Sequence, residues 1–317
     1  MNIPTKESIE HAHQLIAPYI HKTPVLSSRQ IDQMLACNIV FKCENFQKVG
    51  AFKSRGAVNA VFSMDSKSLR NGVCTHSSGN HAQALARAAK IKGIPAYIVM
   101  PENAPKVKVN AVRNYGGIIH FCEANLEARE SSLRKIQQKT NAVEIHPYDN
   151  YKIIEGQATA AKELLEDYTN LDYIIAPVGG GGLLAGSALA NHFFAQNTKL
   201  IAAEPENADD ALRSFAEGRI LPSKEPQTIA DGLLTSLGKR NFPIIQKHVE
   251  EILSCSEEHI KKAMRLIWER MKIIVEPSAA VPLALILEHP KRFEAKHIGI
   301  IISGGNVDLH RMQDILF

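Results

Sequence analysis

Lys53 lies in Phe52-Lys53-Ser54-Arg55-Gly56-Ala57, between an aromatic ring and a small-residue run that reads as helix through Phe62. A lysine amine held out of water loses its proton more readily than a solvated one, and it can form a Schiff base with an aldehyde. Far along the chain, Val178-Gly179-Gly180-Gly181-Gly182-Leu183 sets four glycines between an apolar strand and an apolar helix. Such a turn points backbone N–H groups at a phosphate. A Schiff-base lysine together with a phosphate cradle fits pyridoxal 5′-phosphate. The glycines also leave a rival open, an NAD-dependent oxidoreductase. Gly180 to Ala185 satisfies G-x-G-x-x-A, and Glu204 closes the next strand roughly twenty residues on, where a ribose-binding acid is expected.

Three further loops carry candidate chemistry. Ser77-Ser78-Gly79-Asn80-His81 follows one strand and opens a helix. Its serines and asparagine can cap that helix, and the same N–H groups suit a carboxylate. Ser303-Gly304-Gly305-Asn306 follows the last strong strand, where a serine hydroxyl can bond a heterocyclic nitrogen. Glu204, the carbonyl of Ala208 and Asp210 are hard oxygen donors suited to Mg²⁺ or Ca²⁺. The alternative is that Asp209 or Asp210 caps the helix that follows.

The elements that must position these loops are strands alternating with helices. Short apolar, β-branched runs occur at 72–76, 96–100, 117–121, 173–178, 199–204 and 297–302, with helical stretches between them. That pattern implies an α/β fold of parallel sheets covered on both faces, with ligands at the carboxyl ends of the strands. Every loop named above follows such a strand or precedes a helix. The strands fall into two groups, so 72–146 is expected to form a smaller inserted domain, and 1–71 with 147–317 a larger one.

Composition narrows the classes. The chain has 317 residues, 45% hydrophobic and 22% charged, with a net charge of +4 and no concentrated basic stretch. A nucleic-acid binder is not expected. The N-terminus has no apolar leader, and 279–287 is too short to span a bilayer and contains Pro282, so no membrane role is expected. Five scattered cysteines form no C-x-x-C pair, consistent with a cytoplasmic protein and reduced thiols. The thirteen histidines show no H-E-x-x-H spacing.

Taken in order, Glu44 to Ala57, Thr75 to His81, Pro177 to Gly182, Ala203-Glu204-Pro205, Glu276-Pro277-Ser278 and Ser303 to Asn306 resemble fold type II pyridoxal-phosphate enzymes. Within that fold, related to the tryptophan synthase β subunit, they are similar to the serine racemase and serine/threonine dehydratase family. The resemblance covers nearly the whole chain and implies two three-layer domains with parallel sheets. It makes Lys53 the Schiff-base lysine and Phe52 the side chain beside the cofactor ring. It makes Gly179, Gly180, Gly181 and Gly182 the phosphate loop, Asn80 the partner of the ring hydroxyl and Ser303 the partner of the ring nitrogen. Ser77, Ser78, Asn80 and His81 then receive the substrate carboxylate, with Arg129 at a substrate-contacting position.

The implied reaction is elimination of the β-hydroxyl from L-serine or L-threonine, giving a 2-keto acid and ammonia. Ser78 matches the second acid/base of racemases and favours racemase or hydroxyaspartate-dehydratase behaviour. His146-Pro147-Tyr148-Asp149-Asn150 looks more like the dehydratase version of its segment. The loop Glu204 to Asp210 resembles the racemases' divalent-metal loop, and Tyr115 and Lys272 match nucleotide-binding positions of some relatives. A homodimer is the family's usual state, and an inactive binding module is the non-enzyme alternative. With the last strand ending near Ile302, no appended regulatory domain is expected before Phe317.

Overall fold

The structure, a computed structural model, describes residues 3–104, 106–195 and 197–316. Helix α1 (Lys6–Ile16) begins at Thr5, whose hydroxyl accepts the Ser8 N–H while the Ser8 side chain reaches back. Strand β1 (Val25–Ser27), helix α2 (Arg29–Leu35) and strand β2 (Asn38–Cys43) lead to the segment carrying Lys53, which opens α3 (Lys53–Phe62).

Next come β3 (Val73–His76), α4 (Asn80–Lys92), β4 (Ala96–Pro101), α5 (Lys106–Asn114), β5 (Ile118–Cys122), α6 (Leu126–Thr140) and β6 (Val143–Glu144). These four strands form one parallel sheet in the order β5-β4-β3-β6. Helix α7 (Tyr151–Asp167) returns the chain to the other sheet. There β7 (Tyr173–Pro177), α8 (Gly182–Phe194), β8 (Lys199–Pro205), α9 (Asp210–Glu217), α10 (Asn241–His248), β9 (Glu251–Cys255), α11 (Glu257–Leu266), α12 (Pro277–Glu288) and β10 (His297–Ile302) follow. The order in that sheet is β1-β2-β10-β7-β8-β9, parallel except for the antiparallel edge pair β1·β2.

Alternation along the strands splits the larger core into two layers. Phe41, Ile175, Ile201, Ile300 and Ile302 pack against α2, α11 and α12. Ile174, Ala176, Leu200, Ala202 and Ile301 pack against α1, α7, α8 and α10. The smaller sheet is covered by α3, α4 and α5 on one face and by α6 on the other. Both sheets are therefore the middle layer of three. Among the described residues, no helix is long and apolar enough to cross a membrane.

Two contacts fix α3 in place. Gly56 and Gly156 let α3 and α7 touch, since a Cβ at Gly156 would lie 2.6 Å from the Gly56 Cα. Arg55, 0% exposed, forks onto two carboxylates. Its Nε and Nη2 donate to Glu44 at 2.7 and 2.8 Å, and Nη1 and Nη2 each donate to Glu163 at 2.8 Å. The equally buried Lys42 donates to Glu163 at 2.6 Å. A buried charge group of this kind holds together only if every member is paired.

Candidate active site

Lys53 stands where the two sheets face each other. The preceding Phe52 N–H donates to the Ser303 carbonyl at 3.0 Å, and Ala51 pairs with Gly304, so the loop after β10 braces the start of α3. The Lys53 amine donates to the Pro147 carbonyl at 3.0 Å and lies 5.0 Å from the Phe52 ring centroid. Burial pulls its pKa down to about 8, against the opposing pull of the Glu276 charge. About one amine in ten is then unprotonated at pH 7, far more than for a solvated lysine.

The glycine loop follows β7, with all four glycines buried. Gly181 has φ +88°, a conformation that favours glycine. A Cβ on Gly180 would come within 2.4–2.5 Å of the Tyr148 ring, and one on Gly179 within 2.9 Å of the Leu233 Cα. The Gly180 carbonyl is held from behind by the Asn241 side chain at 2.6 Å and the Gly238 N–H at 3.1 Å. The loop thus presents backbone at the N-terminus of α8, where first-turn N–H groups lack intrahelical partners. Tyr148 adjoins Pro147, so one short segment touches both the lysine amine and the glycine loop.

Asn80 begins α4 and reaches across to α12. Its Nδ2 donates to both Glu276 oxygens, at 3.0 and 3.1 Å, and its Oδ1 accepts from Asn306 Nδ2 at 2.8 Å. Asn306 Nδ2 also donates to the Val49 carbonyl at 2.7 Å. Ser303 is buried, one residue past β10. Ser77 and Ser78 are half-buried on the loop before α4, and the Ser77 hydroxyl accepts the Gly79 N–H at 3.3 Å. Phe52 and Ser303 are therefore joined by a direct backbone bond, and Asn80 is tied to the same turn through Glu276 and Gly304.

Three imidazoles line the adjoining wall. His76 ends β3 and His146 lies two residues past the neighbouring β6, with ring centroids 6.3 Å apart, and His146 meets the Tyr148 ring edge-on at 4.7 Å. His81 shares a hydrogen bond with the Ile145 carbonyl at 3.0 Å, and its Nδ1 is buried without a partner among the described residues. Burial lowers His81 to about 3 and His146 to about 4, with the Lys53 charge adding to both. Burial and then Arg129 push His76 down as well, so Arg129 is near this strand end. Its own Nε donates to the Asn125 carbonyl at 3.3 Å, on its own helix rather than on the serine loop. Tyr148, Glu276 and Asn306 are participants that residue types and spacing did not single out, although the motifs containing them stood in the sequence.

Glu204, Ala208 and Asp210 lie elsewhere, between β8 and α9. The sequence suggested Asp209 or Asp210 as the cap of α9. Instead the buried Glu204 carboxylate accepts the Ala211 and Leu212 N–H groups at 2.9 and 2.8 Å, while Asp209 makes no side-chain cap. Asp210 Oδ2 is buried without a partner among the described residues. Burial raises Glu204 to about 8 and Asp210 to about 6. Among the described residues, no group of three or more His, Cys, Asp or Glu side chains has a metal-holding arrangement.

Comparison with known proteins agrees with this geometry. The family model described as pyridoxal-phosphate dependent enzyme matches residues 16–304. A serine racemase of Dictyostelium discoideum is 50% identical over 317 residues, covering 98% of this chain and 98% of that protein. A β-hydroxyaspartate dehydratase of Paracoccus denitrificans is 47% identical over 312 residues, covering 98% of this chain and 99% of that protein. The crystal structure of a threonine deaminase from T.th. superposes with a TM-score of 0.92 at 42% identity, covering 96% of this chain and 99% of that one. The dinucleotide reading of the glycine turn falls away. The chain belongs to the pyridoxal-phosphate dependent enzymes, in the fold type II branch that holds the serine racemases and threonine dehydratases.

Proposed function

We propose that the chain eliminates the β-hydroxyl of a small hydroxy amino acid, L-threonine or L-serine, releasing a 2-keto acid and ammonia. The observation that carries this reading is the desolvated Lys53 amine, near pKa 8, braced by the Ser303 loop and joined through Pro147-Tyr148 to the glycine turn. Pyridoxal phosphate, when bound, supplies an aldehyde that carries the amino acid and a ring that withdraws electrons from its α-carbon. The residues fit that group. Gly179 to Gly182 leave backbone exposed where any Cβ would collide, which suits a phosphate at the N-terminus of α8. Phe52 would pack beside the ring, Ser303 would meet its nitrogen, and Asn80 its hydroxyl oxygen.

Lys53 then acts as the base that takes the α-proton. Its partly neutral amine needs no strong base nearby to prepare it. Ser77, Ser78, Asn80 and His81 receive the substrate carboxylate on the N-terminus of α4, with Arg129 as the nearby cation. Because burial keeps His76, His81 and His146 neutral, that carboxylate is held by N–H donors and Arg129 rather than by imidazolium charge.

A second reading uses the same site. With the cofactor bound, Ser78 would return a proton from the side opposite Lys53, which favours serine racemisation, and the Paracoccus relative's name points to 3-hydroxyaspartate. Purified protein is expected to be yellow, to bleach with borohydride, and to form pyruvate from L-serine. Lys53→Ala is expected to lose both colour and turnover; a Lys53→Ala protein retaining either refutes the reading. Pyruvate and D-serine measured together, with threonine and 3-hydroxyaspartate run beside serine, rank the two readings.

Glu204, the Ala208 carbonyl and Asp210 form an oxygen set for Mg²⁺ or Ca²⁺, supported by the unpartnered Asp210 oxygen. A homodimer in the cytoplasm completes the proposal, checked by light scattering and by cell fractionation.

A further inference from the structure

Glu276 is 5% exposed and precedes α12, yet it makes no side-chain cap there. Its backbone is tied to the site, since its N–H donates to the Gly304 carbonyl at 3.0 Å, one residue from Ser303. The charged groups facing it are Asp231, Lys108 and Lys53, and Lys108 is already paired with Asp231 at 2.5 Å. The carboxylate's side-chain partner is the Asn80 amide.

The orientation of that amide follows from the acceptor-only Val49 carbonyl at one end of a chain of bonds. The Val49 carbonyl can only accept, so Asn306 turns its NH₂ toward it and toward Asn80. Asn80 must then present oxygen to Asn306 and nitrogen to Glu276. The two oxygens of one carboxylate subtend a much narrower angle at that nitrogen than separates its two N–H bonds. One hydrogen therefore serves Glu276, and the other remains.

We propose that Glu276 is a positioning residue that fixes the Asn80 amide so that its remaining N–H is aimed at the cofactor's ring-hydroxyl oxygen. This rests on the reading of Lys53 and Asn80 given above. Burial holds Glu276 up at about 7, so ionisation of this carboxylate falls within the working pH range.

The test is a double-mutant cycle on the holoenzyme with Glu276→Gln, Asn80→Ala and the pair. Serine elimination is followed by kcat and KM, and the resting chromophore is titrated by absorbance against pH without substrate. Glu276→Gln should lower kcat by about tenfold or more, the scale of a hydrogen bond to a charged group, with KM changed far less. In the Asn80→Ala background the same change should cost less than about twofold. The chromophore midpoint should move in both single variants and no further in the double. Additive losses, an unchanged kcat in Glu276→Gln, or an unmoved chromophore midpoint would overturn the proposal. Should Glu276→Gln not fold, Glu276→Asp replaces it, and its loss must likewise vanish beside Asn80→Ala. A colourless, inactive wild-type protein would instead sink the parent reading, so the two failures are distinguishable.

Discussion

At the scale of single residues, van der Waals distance and desolvation govern the site. Gly180 faces the Tyr148 ring with no room for one more carbon. Gly180→Ala is expected to destabilise the protein by about 1–3 kcal/mol through overpacking and to lower bound pyridoxal phosphate. Adding Tyr148→Ala should restore part of both, measured by urea unfolding and by absorbance. Glu204 supplies a pH test. Its folded pKa of about 8 lies above the ordinary carboxylate range. Between those limits the folded state holds a proton that the unfolded state has lost. The associated stability is present at low pH and is lost as pH rises through about 8. Thermal midpoints in chelator should fall over that range in the wild type and fall less in Glu204→Gln. Ca²⁺ or Mg²⁺ should offset the fall most at the alkaline end. Equal slopes in both proteins would exclude Glu204 as the source.

At the scale of elements, the placement of α3 decides where Lys53 points. The helix is held by the Gly56–Gly156 contact with α7 and by Arg55 between Glu44 and Glu163. Removing one member of a buried ion group leaves uncompensated charge, which typically costs about 3–5 kcal/mol. Arg55→Ala should therefore destabilise the protein by about that amount in denaturant unfolding. A loss within the range of exposed pairs, under about 1 kcal/mol, would mean that water reaches the group. Legibility differed among elements. Strands such as β7, β8 and β10 are nearly continuous apolar runs and could be read directly. Strand β2 could not, because Lys42 interrupts it, and β1, β6 and β9 are short or mixed in polarity. The buried lysine is tolerated because Glu163, distant in sequence, and the Thr23 carbonyl both accept from it.

At the scale of the whole molecule, the site is a seam between two sheets. Lys53 to Pro147, Asn80 to Glu276 and Lys108 to Asp231 each join a different pair of elements across it. A ligand that binds only the folded seam stabilises the fold by an amount that grows with the logarithm of its free concentration above Kd. Stripping pyridoxal phosphate should lower the thermal midpoint, and adding it back should restore it, read by calorimetry. An unchanged midpoint would place the ligand outside the seam. The sequence by itself determined the alternation of strands and helices, the glycine turn with its backbone freedom, the lysine at a helix start and the family resemblance. Those features are local, set by side-chain period, backbone sterics and short motifs. The tertiary structure alone decided that Glu276 turns Asn80, that Glu204 rather than an aspartate caps α9, that Tyr148 closes on the glycines, and that three histidines stay neutral. Each of these depends on desolvation or on contacts between distant segments, and neither quantity exists until the chain has folded.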